Sequence, residues 1–175
     1  MNLSMGELIN VTALSRVFKK ADTAIFGKDD AGYCIVSDGH FVLRAALSVD
    51  QQVALIQKVG TVPHNGECYR RIGKAEAQPF SYHAFDSFLN RETSGDPAYD
   101  TRIMFEGEGV TVRLYDFREG FAAVDTKYAD MIAYPESIFM PKLSRIAPVH
   151  FSGHGEHLVV LPVNITLPEC IKPRF

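Results

Sequence analysis

The run Glu156-His157-Leu158-Val159-Val160-Leu161-Pro162-Val163-Asn164-Ile165 decides how the rest of the chain is read. Four aliphatics in a row, then a proline and two more aliphatics, predict a strand buried on both faces. Pro162 offers no N–H, so the ladder is expected to meet an edge or a bulge there. A strand of this kind needs neighbours, and residues 137–140 and 146–151 just before it supply two apolar runs of strand length.

Further upstream the period changes back and forth. Residues 10–21 open with Asn10-Val11-Thr12 and place Leu14, Val17 and Phe18 on one helical face, with Asn10 or Thr12 as cap. Apolar runs follow at 23–27 and 32–47, broken by Lys28-Asp29-Asp30-Ala31-Gly32 and by Ser37-Asp38-Gly39-His40. Asp-Gly between apolar runs predicts a tight hairpin, because a primed turn needs positive φ at its centre. The result is a three-stranded meander. Ser48-Val49-Asp50-Gln51 then reads as a capping box before a short helix over residues 50–59.

Residues 60–100 lose this regularity, punctuated by Pro63, Asn65-Gly66, Pro79 and Ser94-Gly95-Asp96-Pro97. One strand at 67–72 and a helical turn at 85–89 are all the pattern supports there, and loops this long are usually functional or mobile. Strands return at 101–105, 109–115 and 120–124. Val110, Val112 and Leu114 alternate with Thr111, Arg113 and Tyr115, as in a sheet covered on one side with the other side meeting water. Asp125 or Thr126 caps a third helix over 127–133, ended by Pro135. Helix followed by meander thus occurs twice around an insertion, an α+β arrangement of antiparallel strands.

Composition narrows the function. The chain has 175 residues, 46% hydrophobic and 22% charged, which predicts a soluble globular domain. A net charge of −3 gives no global attraction to nucleic acid, so any DNA contact must come from a local patch. Cys34, Cys68 and Cys170 are scattered and odd in number, which suits a reducing cytoplasm better than a disulfide framework, and Cys34 in its apolar run reads as a core packer. Residues 1–10 show no basic segment followed by an apolar one, and no run reaches the ~18 apolar residues of a membrane span. A cytoplasmic protein with no membrane partner is the expectation.

Several of these stretches are similar to bacterial DNA sliding clamps, the DNA polymerase III beta subunit-like superfamily. The closing run resembles the family's last strand with its Met-Pro-Met/Val-Arg-Leu-like end. Val36-Ser37-Asp38-Gly39-His40-Phe41-Val42-Leu43 resembles a stretch that in the family reads Ala-Thr-Asp-Gly-His-Arg-Leu-Ala, with Phe41 where the arginine stands. Ala123-Val124-Asp125-Thr126-Lys127-Tyr128-Ala129-Asp130-Met131-Ile132 resembles the Val-x-x-Tyr-Leu-x-Asp-Val-Leu helix. The resemblance implies one clamp-like domain over residues 1–165, swollen by the insertion at about 60–100 and followed by a tail at 166–175.

What it implies for function is a non-catalytic processivity or scaffold factor of DNA replication or repair, possessing no cofactor, from a phage or mobile element given its size. In the family, helices line a hole and their cations meet phosphates without reading bases, a salt-sensitive contact. Arg16, Lys19 and Lys20 on the first helix and Lys127 on the third would be that lining, facing double-stranded DNA. The residues alone also allow a plain solvated face near a helix C-terminus, where cations suit the macrodipole. Leu161, Val163 and Ile165 would form the partner-binding pocket, with Asn164 in place of a basic residue. A ring would require a homo-oligomer. The tail, with Leu167, Pro168, Ile171, Pro173 and Phe175, suits its own pocket, a neighbour's, or a partner protein.

Two alternatives stand beside this reading. One keeps the fold as a protein–protein interaction module without DNA. The other is a metal-dependent enzyme built on His150, His154 and His157, since zinc needs three or four converging ligands. A polar turn rich in histidine explains the same residues. His40 beside Asp38 hints at general-base chemistry, but in a turn this trio is mainly conformational. No nucleophile-elbow, zincin, phosphate-loop or dinucleotide motif occurs.

Overall fold

Asn10 starts the first helix: its side chain accepts the Ala13 N–H at 3.2 Å, and Lys19 and Lys20 sit at the negative end of the dipole in α1 (Val11–Lys20). The structure is a computed structural model that describes residues 7–89, 95–142 and 145–171. The meander follows as β1 (Thr23–Lys28), β2 (Cys34–Ser37) and β3 (Phe41–Ala45). The Ser48–Gln51 capping box is formed in both directions and opens α2 (Val49–Val59), which Gly60 ends in the left-handed region.

The insertion contains β4 (Cys68–Ile72), β5 (Gln78–Pro79), a 3-10 turn (Tyr82–Phe85), α3 (Asp86–Leu89) and β6 (Asp96–Pro97). Then come β7 (Tyr99–Gly107), β8 (Val110–Phe117), β9 (Gly120–Asp125), α4 (Thr126–Ala129), β10 (Ser137–Met140), β11 (Val149–Gly153) and β12 (Glu156–Val160). Among the described residues the protein is therefore a mixed α/β structure with four α-helices and mostly antiparallel pairing.

The strands make a nine-stranded sheet in the order β5-β4-β1-β2-β3-β12-β11-β10-β6 and a three-stranded sheet β7-β8-β9. At the centre β3 pairs with β12, Leu43 opposite Leu158. Each flank of that pair carries the last strand of a helix-plus-three-strand unit: α1-β1-β2-β3 on one side and α4-β10-β11-β12 on the other. The doubled element order expected from sequence is present. The insertion does more than protrude. It closes both edges of the large sheet, with β4 and β5 beyond β1 and β6 beyond β10. Pro79 and Pro97 lie in those two-residue edge strands, where a missing N–H does no harm.

One face of the large sheet holds the main core. Leu14 and Phe18 of α1, Leu55 and Val59 of α2, and Tyr128, Ala129 and Met131 at α4 pack on Phe26, Val36, Leu43, Phe151, Leu158 and Val160. Each such fully buried large side chain contributes about 1.5–3 kcal/mol. Helix α1 touches both α2 and α4. Alternation turns Val42, Val159, Phe139 and two histidines to the opposite face, where α3 lies against β12.

Four expectations are corrected. The closing strand ends at Val160, not Ile165: Leu161 N–H donates to the His40 carbonyl at 2.9 Å and Pro162 has no donor to continue the ladder. The third helix is four residues long, because the chain turns after Ala129 and Ile132 bridges to Ile9. The Asp38-Gly39-His40 hairpin is not a two-residue primed turn; Ser37 pairs with Val42, and only Gly39 has positive φ (95°) while the Asp38 carboxylate caps the loop. Finally, Tyr115 is buried rather than wet, since the small sheet is covered on both faces: Tyr115 and Phe117 join the main core and Val112 and Leu114 a second cluster.

Candidate functional site

The α1 cations are presented to solvent because the helix spends its apolar stripe on the core. Leu14 and Phe18 point inward, leaving Arg16, Lys19 and Lys20 exposed. Arg16 and Lys19 line a groove of about 560 Å³ between α1 and α2, together with Ser15, Asp50, Gln51 and Ala54. Two cations that spacing does not single out extend the row from Lys19. Lys58 Nζ donates to the Lys19 carbonyl at 3.0 Å, and Arg71 Nη1 donates to the Lys58 carbonyl at 3.1 Å. Cations thus satisfy the orphan carbonyls at the C-terminal ends of both helices. A lysine in the last turn of α2 is visible in the sequence, but Arg71 reaches it only through the fold.

Lys127 is placed differently. It is exposed on α4, a helix that contacts α1, but its ammonium lies 3.6 Å from Asp125 Oδ2 and 4.7 Å from the Tyr128 ring centroid. Asp125 is the N-cap of α4, accepting from Lys127 N–H at 3.0 Å. Three of the four cations share α1, and the fourth has its charge partly answered by its own cap.

Two of the sequence stretches meet at a single hydrogen bond. Tyr128 Oη donates to Asp38 Oδ2 at 2.7 Å, while Asp38 Oδ1 accepts from the N–H groups of His40 and Phe41 at 2.8 and 3.3 Å. Burial first, and then the Asp38 carboxylate, push the Tyr128 phenol up from its ordinary value. Phe41 and His40 stand beside the same ring, with centroids 5.7 and 6.3 Å away. This fixes Asp38 as a structural acceptor with His40 exposed beside it, so the trio is a joint between the two halves of the sheet.

Leu161, Val163 and Ile165 do not form one pocket. Leu161 is 40% exposed and lines an apolar cavity of about 70 Å³ with Gly39, His40, Val42, Phe85, Phe88 and Val159. Phe85 and Phe88 come from the insertion, and their proximity is not readable from spacing. Val163 and Ile165 turn instead to the small sheet, where with Leu167 and Ile171 they cover Val112, Leu114, Phe121 and Ala123. The tail up to Ile171 therefore lies against its own chain; Pro173 and Phe175 lie outside the described residues.

The histidines separate as well. His150 and His157 are 0% and 8% exposed, and His150 Nδ1 is 3.0 Å from His157 Nε2. Phe139 lies against both rings, at 5.1 and 6.1 Å between centroids. Burial pulls His157 below its ordinary value, the Leu89 carbonyl raises it in part, and the Arg44 charge lowers it further. His154 is elsewhere, at the exposed β11–β12 turn with φ 55°, its Nδ1 3.3 Å from Glu136 Oε1. Among the described residues no three histidine, cysteine or acidic side chains converge as a metal would require. Among the described residues no helix is long and apolar enough to cross a membrane.

Compared with protein-family models, with curated proteins and with solved structures, the chain finds no match.

Proposed function

We propose that this chain is a non-catalytic, clamp-like scaffold of DNA replication or repair that touches double-stranded DNA non-specifically through α1. The observation that carries the reading is the exposed row Arg16, Lys19 and Lys20 on a helix seated over a sheet of two helix-plus-meander units. A row of long cations on one rigid element meets phosphates without reading bases. Lys127, partly answered by Asp125, adds less. A single unit supplies a weak field, so the reading includes a homo-oligomer that gathers several α1 faces.

Arg16→Glu with Lys20→Glu tests it by retention on duplex DNA. Both side chains are exposed, so folding is expected to persist and retention at low salt to drop by tenfold or more. Unchanged retention refutes the DNA contact. A second reading, an interaction module without DNA, is favoured by the apolar cavity at Leu161, Phe85 and Phe88, whose size suits one small aliphatic side chain of a partner protein. Under that reading Phe88→Asp abolishes partner capture, whereas Arg16→Glu with Lys20→Glu leaves capture unchanged.

A further inference from the structure

From Val163 to Ile171 the chain has no regular secondary structure, yet its side chains alternate as an extended ribbon does. Val163, Ile165 and Leu167 are half-buried on the small sheet, while Asn164, Thr166 and Pro168 face solvent. Beneath them Val112, Leu114, Phe121 and Ala123 are buried to 6% exposure or less. The main chain contributes little to this attachment. Among the described residues, the Val163 N–H to Ala123 carbonyl bond at 2.7 Å is the one backbone hydrogen bond between ribbon and sheet.

The ribbon's shape is set before it docks. Pro162 and Pro168 hold Leu161 and Leu167 extended. The β-branched Val163, Ile165 and Thr166 favour the same conformation. Its attachment is thus apolar, directional at one point only, and hinged at Leu161-Pro162, where the last strand has already ended. Any groove satisfied in this way accepts an identical ribbon from another molecule through the same packing, and only the hinge rearranges.

The geometry points to the β7-β8-β9 face as a ribbon-docking groove that the 163–171 segment of a second copy of this chain occupies in reciprocal exchange with the resident one. This stands apart from the DNA reading and uses none of its residues.

Cys170 gives the test a handle within the unaltered chain. It is exposed in the ribbon, whereas Cys34 and Cys68 are buried and burial pushes their thiols up, Cys68 to about 12, so a maleimide at neutral pH labels the ribbon. Full-length chain labelled with a donor is mixed with chain labelled with an acceptor, and energy transfer is followed alongside the mass in solution. Exchange predicts transfer that grows after mixing, a dimer mass, and at least a twofold fall in transfer when excess unlabelled peptide of residues 161–171 takes the groove. The same peptide carrying Ile165→Asp should leave the transfer unchanged. A monomer without transfer overturns the proposal, and so does a dimer whose transfer neither peptide alters.

Discussion

Tyr128→Phe removes one hydroxyl from the joint between the two halves of the large sheet and leaves the ring in place. That hydroxyl donates to Asp38 Oδ2 at 2.7 Å, and hydrogen bonds to charged groups are typically worth about 1.5–3 kcal/mol. Asp38 keeps its two backbone donors, His40 and Phe41, so it is not orphaned and the lower half of that range applies. The ring contact with Phe41 at 5.7 Å survives the change. A loss of about 1.5–2 kcal/mol is expected at pH 7, which in a chain of this size lowers Tm by roughly 3–8 °C.

The alkaline side gives a second, independent signature. The Tyr128 phenol is raised from 10.0 by burial and then by Asp38, so the folded state keeps a proton that the unfolded state loses. Its contribution is intact below pH 10.0 and is lost as pH climbs toward the folded value. Each such phenol steepens the fall by about 1.4 kcal/mol per pH unit. Tyr115, buried beside Phe151, is raised in the same sense. Urea unfolding from pH 7 to 11 should show Tyr128→Phe weaker at neutral pH but flatter than wild type above pH 10. A variant with the wild-type midpoint at pH 7, or with the wild-type slope above pH 10, would refute the joint.

Other perturbations test separate parts of the fold. Gly27→Ala would place a Cβ 2.5 Å from the Cys68 Cα in the β1–β4 pair, so thermal melts should show a loss of about 1–3 kcal/mol or more. Ser48→Ala removes the hydroxyl that accepts the Gln51 N–H, while the backbone N–H of residue 48 still donates to Gln51 Oε1, and should cost about 1 kcal/mol in urea unfolding. His157 is held below 6.5 in the folded state, so its contribution is complete above pH 6.5 and lost as pH falls below it. Urea midpoints between pH 7 and ~5 should fall for wild type and stay flatter for His150→Leu with His157→Leu. Glu156, raised by burial, works in the opposite sense above 4.5 and is common to both proteins.

Local chemistry was the legible part. Asn10 and the Ser48–Gln51 box announced two helix starts because a cap is written in neighbouring residues. Apolar runs placed β1, β2, β3 and β7 to β11 within a few residues, and β12 except for its C-terminal end, since a strand's burial pattern is local. What escaped depends on partners distant in sequence. Nothing in Val163-Asn164-Ile165 distinguishes a ladder strand from a ribbon held by side chains; the difference is Pro162 meeting the end of β3, where His40 takes the last hydrogen bond. Tyr115 looked wet because alternation shows which residues share a face and not whether something covers it. In the insertion the strand at 67–72 and the helical turn at 85–89 are legible, but β5 and β6 are not, because two residues leave no burial pattern, yet they suffice to close an edge.

The α1 cations were equally plain in the sequence, as was Lys127, but charge neighbours were not. The Asp125 cap lies within ion-pair distance of Lys127, while Lys58 and Arg71 join Lys19 through backbone carbonyls. The histidine hairpin shows the converse. In the register His150 stands opposite Val159 and His157 opposite Ser152, so the two rings meet diagonally on one face, whereas His154 sits at positive φ on the turn beside Glu136.

The salt dependence of duplex binding tests the central claim most directly. Three α1 cations neutralising phosphates predict a log–log slope near −2.7 per chain, taking about −0.9 for each phosphate, the same for two unrelated DNA sequences. A slope near zero, or an affinity that follows the sequence of the duplex, would contradict it.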